Sequence, residues 1–230
     1  MSKHHHNTAL LVFSRSAKAE IKDKKLCFDD RKSESLAALM IEQTRQVVED
    51  SGLPFYFFSE KKQIGDTFGE RLTHAFETLF SKGYEQVIAI GNDCLTLTAD
   101  DLHKATTALS DNTDVVLGEA TDGGAYLIGY RRAAFETDAF KGLNWQTPSV
   151  FLDLASLAQA QDFTLVCLAE KADVDTAQAL FVALNSLSVR LKKAIIQILF
   201  ALQTVVLRIT NPFLSAFNPT NRLLRGPPCF

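Results

Sequence analysis

Short, unbroken apolar runs alternate along the chain with stretches in which apolar residues return every three or four positions. Residues 8–14 (TALLVFS) have no polar alternation and read as a strand covered on both faces, which makes a parallel α/β sheet the leading idea. Residues 53–59 are short and rich in aromatics, and residues 86–90 (QVIAI) repeat the buried-strand pattern. Residues 115–118 and 125–130 flank the turn Thr121-Asp122-Gly123-Gly124, and residues 163–168 form a last strand.

The helical stripes lie between these runs. Leu36, Leu39, Met40, Val47 and Val48 predict a helix over 33–50, with Ser33 as its cap and Gly52 past its end. Leu72, Ala75, Phe76, Leu79 and Phe80 predict another over 68–82, stopped by Gly83. Thr98, with Asp101 three residues on, opens a further helix. Thr147 followed by Pro148 starts one that runs to about residue 160, and one more follows Thr176. The pattern predicts an α/β fold of three layers, a mainly parallel, Rossmann-like sheet flanked by helices, with ligands at the carboxyl ends of its strands.

Residues 189–209 break this rhythm. Arg190, Lys193, Gln197, Ala201, Thr204 and Arg208 form one narrow stripe of an otherwise apolar helix. Gln and Thr interrupt it too often for a bilayer span, which needs about 20 apolar residues. Its apolar surface therefore needs cover. Docking on the protein, within the chain or in a homodimer, is the first expectation, and peripheral contact with an inner-membrane surface is the other. Two units follow, residues 1–185 and a basic helical tail over 186–230 in which residues 222–228 are an extended strap.

Composition sharpens that division. The chain has 230 residues, 47% hydrophobic and 22% charged, which excludes a disordered or collagen-like chain and a small disulfide scaffold. Its net charge of −3 hides +6 after Asp175 and −9 before it, so the main unit is not expected to bind nucleic acid. Cys27, Cys94, Cys167 and Cys229 lie far apart, without a C-x-x-C pair, and fit a reducing, cytoplasmic setting. No secretory signal is expected, and His4, His5 and His6 read as a terminal lead-in.

Candidate chemistry gathers after the strands. Asp93 follows the QVIAI run and is preceded by Gly91, whose backbone a phosphate or sugar can approach; Asp122 and the Asp173/Asp175 pair also follow strands. Mg²⁺ or Mn²⁺ takes a few carboxylate oxygens and completes its shell with water and phosphate, so these residues are candidate ligands. Cys94 reads as a core cysteine, and His74 and His103 as solvated helix positions. There is neither a G-x-G-x-x-G after the first strand nor a Walker loop, which disfavours dehydrogenase and P-loop readings.

Several segments occur in a telling order: Gln63-Ile64-Gly65, Phe68-Gly69-Glu70-Arg71-Leu72, Gly91-Asn92-Asp93-Cys94, Asp122-Gly123-Gly124 running on to Gly129, Trp145 with Thr147, and Asp173-Val174-Asp175-Thr176. Over about residues 8–180 the chain resembles the GT-A-type family of nucleotide-diphospho-sugar transferase-like proteins, which includes presumed arsenosugar-pathway glycosyltransferases. More distantly it is similar to 2-phospholactate guanylyltransferases. The resemblance implies a metal-dependent transferase using a nucleotide-activated donor, with glycosyl transfer from a nucleotide-sugar to a small acceptor as the first reading. Nucleotidyl transfer from an NTP, or a non-catalytic descendant, is the alternative.

By that resemblance Asp93, Asp175 and Asp173 would hold Mg²⁺ or Mn²⁺. Arg15, Gln63, Gly65, Glu70, Arg71 and Gly91 would lie on the nucleotide side. Gly123, Gly124 and Trp145 would shape the acceptor side, with Asp122 as the catalytic group. One segment departs from the pattern. The family follows its first strand with Arg, a Pro/Gly turn and a Lys-Thr-Arg-Leu run expected to cradle phosphates, whereas here Arg15 is kept and residues 16–26 read SAKAEIKDKKL. Glu20 stands at the usual glycine and Asp23 near the usual lysine, where carboxylates repel a triphosphate; Lys18, Lys22, Lys24 and Lys25 are the charges available to compensate. Leu95 also replaces a proline. Residues 16–31, densely charged, are expected to be exposed and mobile without ligand.

Overall fold

Residues Thr8–Phe13 form the central strand β1, which sends Ala9 and Leu11 to one face of the sheet and Leu10 and Val12 to the other. All four are fully buried, as expected for a strand covered on both sides. This is a computed structural model that describes residues 7–209, with side chains through residue 200. His4 to His6, residues 222–228 and Cys229 lie outside the described residues, as do the side chains of Ala201, Thr204 and Arg208.

After β1 come α1 (Ala17–Glu20), α2 (Asp30–Asp50), β2 (Phe55–Phe58), α3 (Phe68–Ser81), β3 (Gln86–Ile90) and α4 (Ala99–Ser110). β4 (Val115–Ala120), β5 (Ala125–Arg131), α5 (Thr137–Lys141), α6 (Val150–Ala160), β6 (Leu165–Lys171), α7 (Ala177–Ala183) and α8 (Val189–Ile209) follow. The six strands lie in the order β2-β1-β3-β5-β4-β6. β5 runs antiparallel to both neighbours, and every other pairing is parallel. Because β1 has β2 on one side and β3 on the other, the carboxyl ends of β1 and β3 frame a crevice where the strand order reverses.

Two apolar layers clamp the sheet. On one face α3, α5 and α6 contribute Phe76, Leu79, Phe140 and Leu154, and Phe76 stacks on Phe135 at 5.0 Å. On the other, α2 and α4 contribute Val47, Val48, Leu102 and Leu109. Each fully buried side chain of this size contributes roughly 1.5–3 kcal/mol, so these layers rather than local propensity hold the helices.

Three local expectations change. α2 is capped by Asp29, whose carboxylate accepts from the amides of Arg31 at 2.8 Å and Lys32 at 3.0 Å. Ser33 instead lies buried inside the helix and donates to the Cys27 carbonyl at 3.1 Å. α6 begins at Val150 rather than at Pro148, because the Pro148 carbonyl packs against Gly123 of the glycine turn, and Phe151 N–H donates to the Gly123 carbonyl at 3.1 Å. The charged stretch 16–31 is not a uniformly exposed loop. It forms α1 and packs on α2, with Leu26 2% and Glu20 5% exposed.

α8 closes a third cluster. Leu191 and Ile195 are buried with Leu36, Met40 and Leu180, and Lys32 Nζ donates to the Leu199 carbonyl at 2.6 Å. Val189, Ile196 and Phe200 remain exposed on the same helix. Among the described residues no helix is long and apolar enough to cross a membrane.

Candidate functional site

A cleft of about 180 Å³ opens at the carboxyl ends of β1 and β3, lined among others by Phe13, Phe68, Gly91, Asp93, Tyr126 and Asp173. Topology explains the gathering. Phe13 ends β1, Gly91 and Asp93 follow β3, and Tyr126 opens the antiparallel β5, so all reach the same end of the sheet. The segment after β6 is drawn in by a single amide: Val174 N–H donates to the Asp93 carbonyl at 3.0 Å. That bond sets Asp173 and Asp175 on either side of a residue tied to Asp93.

Lys24 Nζ lies 2.5 Å from Asp93 Oδ1 and 2.7 Å from Asp175 Oδ1, with Glu20 Oε2 at 3.8 Å. Burial works against the ammonium, but Asp93 and Asp175 outweigh it and hold its pKa above the ordinary lysine value. Burial pushes the Asp93 carboxyl up to about 6 against the pull of Lys24. Asp173 is pushed to about 7 by burial first and then by Asp93, Asp122 and Asp175. Its Oδ1 is buried without a hydrogen-bond partner. Cys94 is buried and its thiol is raised by that burial to about 11, so it stays protonated and inert.

The nucleotide-side candidates serve local structure. Arg15 pairs with Asp23 at 2.5 Å and lies 3.7 Å from Glu20, inside its own segment. Gln63 donates to the Phe58 carbonyl at 2.9 Å and ties down the loop after β2. Glu70 accepts from the amides of Asp66 at 2.8 Å and Thr67 at 3.0 Å, while Thr67 Oγ1 accepts from Glu70 N–H, a reciprocal cap on α3. The Thr67 and Asp66 amides hold the Glu70 carboxyl below the usual range. Arg71 donates to the Asp66 carbonyl at 2.9 Å. Gly65, at φ +133°, leaves no room for a side chain beside Glu70. Gly91 is different: nothing lies within 3.8 Å of where its Cβ would be, so its backbone is open.

In the turn after β4 Asp122 is exposed and accepts from the Gly124 amide at 2.9 Å. Gly123 has φ +87°, and an added Cβ would stand 1.8 Å from the Pro148 carbonyl oxygen. Trp145 donates to the Phe140 carbonyl at 2.9 Å and packs on Phe68, one residue back from the cleft.

A divalent cation is implied by the resemblance, and its donors here are all hard carboxylate oxygens, of which the orphaned Asp173 Oδ1 is one a cation would satisfy. Asp93 and Asp175 do share a cation, but it is the Lys24 ammonium. Among the described residues no three His, Cys, Asp or Glu side chains converge to hold a metal ion. With Lys24 seated there, the arrangement does not fit Mg²⁺ or Mn²⁺. Lys24 is the residue that pattern reading undervalued. Its one local signal is the four-residue spacing from Glu20.

A six-stranded α/β sheet with acidic residues at its strand ends defines the class, a nucleotide-sugar-transferase-like fold. It is similar to the crystal structure of a proposed nucleotide-diphospho-sugar transferase from Desulfovibrio desulfuricans, at 22% identity and TM-score 0.74, over 88% of this chain and 97% of that one. The chain belongs to DUF2064, a family described as uncharacterized protein conserved in bacteria, whose model matches residues 13–147. Two mycobacterial structures are similar only loosely and do not inform the site. One, from a Mycobacterium species, has 10% identity and TM-score 0.46 over 78% of this chain and 96% of its own. The other, a Mycobacterium tuberculosis protein in complex with manganese, has 14% identity and TM-score 0.45 over 78% and 99%. No curated protein matches the sequence.

Proposed function

We propose that this protein is a transferase that takes a group from a nucleotide-activated donor, with glycosyl transfer from a nucleotide-sugar as the first reaction and nucleotidyl transfer from an NTP as its alternative. The observation that carries this reading is the cleft at the strand-order reversal, with an unpartnered carboxylate in its wall. Phe13, Phe68 and Tyr126 supply apolar walls for a ring, and the open Gly91 backbone lets a sugar or phosphate approach.

Within this reading Asp173 takes the proton of the acceptor hydroxyl, because a carboxylate with pKa near 7 is matched to that task. The acceptor oxygen then bonds to the anomeric carbon as its bond to the diphosphate breaks. Asp122, whose charge helps to raise the Asp173 carboxyl, orients the acceptor, and Gly123, Gly124 and Trp145 shape the acceptor side. Gln63, Gly65, Glu70 and Arg71 shape the nucleotide side through the loop they brace.

A non-catalytic descendant is the second reading, and the closed pairing of Arg15, Glu20, Asp23 and Lys24 over Asp93 favours it. A thermal-shift panel of NTPs and nucleotide-sugars, each with and without Mn²⁺, separates the two, since a ligand of the folded state raises the melting midpoint. A rise with one donor class that is lost in Asp173→Asn is the outcome expected of the transferase. No rise with any member of the panel would leave the non-catalytic reading standing.

A further inference from the structure

A half-buried ammonium held by two carboxylates at 2.5 and 2.7 Å, with a third at 3.8 Å, is arranged as an ion in a cage of oxygens. We propose that Lys24 is an internal cation that occupies the position between Asp93 and Asp175 and competes with a divalent metal ion for those two carboxylates. The inference rests on this geometry and is independent of the donor reading above.

The cage is supplied by three parts of the chain. Glu20 comes from α1, Asp93 from the end of β3, and Asp175 from the segment pinned by Val174 to the Asp93 carbonyl. Lys24 is fixed in place by its own segment. Leu26 is buried two residues on, Ile21 packs into the same cluster, and the Lys24 amide donates to the Glu20 carbonyl at 3.0 Å. Arg15 in turn braces Glu20: its backbone amide donates to Glu20 Oε1 at 3.0 Å. The lysine is therefore a packed element of the site and not a surface side chain that happens to reach it. A cation of either kind must neutralise the same carboxylates, and only one can sit between Asp93 and Asp175 at a time. Removal of the ammonium leaves the Asp93 and Asp175 carboxylate oxygens facing one open position. Those are the hard oxygen donors that Mn²⁺ prefers.

The test measures Mn²⁺ binding to the full chain by the loss of the free-ion electron paramagnetic resonance signal, without nucleotide. Lys24→Ala is expected to bind one Mn²⁺ at least about tenfold more tightly than wild type, and Asp93→Asn in the Lys24→Ala background is expected to lose that gain. Equal affinity in wild type and Lys24→Ala, with the variant folded by circular dichroism, would overturn the proposal. A Lys24→Ala chain that is unfolded alone is expected to fold when Mn²⁺ supplies the missing charge, and one that stays unfolded in Mn²⁺ counts against the idea. Wild type gives an independent reading. Its melting midpoint should be insensitive to Mn²⁺ up to about 1 mM, and a rise abolished by Asp93→Asn would show that the ion enters despite Lys24. Failure of the nucleotide panel leaves these metal readings intact, so the two proposals fall separately.

Discussion

The two sides of the cleft hold polar residues under opposite conditions. On the α3 side, Glu70, Arg71 and Trp145 each bond to backbone amides or carbonyls a few residues away, and Gly65 and Gly69 let the chain close around them. On the acidic side, Asp93 and Asp175 find a single ammonium between them, and Asp173 keeps an oxygen with no partner. The first arrangement is complete in itself. The second carries unspent charge, and unspent charge in a cleft is what a ligand or a proton can act on.

The largest effect should come from breaking the completed side. Gly69→Ala would set a methyl 2.4 Å from the Lys141 carbonyl oxygen and 2.6 Å from Trp145 Cδ1. Alanine gains roughly 1 kcal/mol of helix propensity over glycine, yet this contact with backbone outweighs it, so a net loss of about 2–3 kcal/mol is expected in urea denaturation. A neutral or stabilised variant would mean that the α5–Trp145 loop is not held against α3.

A smaller change of opposite sign should come from the acidic side. Below its ordinary pKa of 3.8 Asp173 is protonated whether the chain is folded or not; between about 4 and 7 the folded state holds a proton that the unfolded state has released. Stability contributed by this group is therefore lost as pH rises to about 7. Asp173→Asn removes the dependence. The variant should be about 1–3 kcal/mol more stable than wild type at pH 8 and nearly equal to it at pH 4, measured by denaturation at both values. A difference that does not change with pH would place a partner on Asp173.

The smallest effect should follow loss of one cap. Thr67→Ala deletes the acceptor that Glu70 N–H uses at 3.1 Å, and a loss of about 0.5–1 kcal/mol is expected by thermal melting, with no change in pH dependence. If that variant also altered a nucleotide-induced thermal shift, the α3 side would be binding surface as well as brace.

How much of this was legible beforehand follows the range of the interactions. Thr98 and Asp101 predicted their reciprocal cap because both partners sit within one turn, and the Thr98 amide does donate to Asp101 at 2.9 Å. Gly123 predicted a turn of positive φ, and it has one. The α6 start was displaced because the Pro148 carbonyl packs on Gly123, a contact between separate turns that no local pattern records. The charged stretch 16–31 was misjudged for the same reason: its few apolar residues meet α2, α7 and α8, which lie elsewhere in the sequence.

By itself the sequence determined the order and kind of the elements, since unbroken apolar runs, the 3.6-residue period and the punctuation of Gly, Pro, Thr and Asp are written in neighbouring residues. It also determined that acidic residues end several strands. Tertiary structure alone decided that β5 would insert between β3 and β4, that Asp93 and Asp175 would meet, and that Lys24 would be the cation between them. The reason is physical: a carboxylate's partner is chosen by distance in space, and the bond from Val174 to Asp93 that brings these groups together joins segments whose local patterns carry no information about each other.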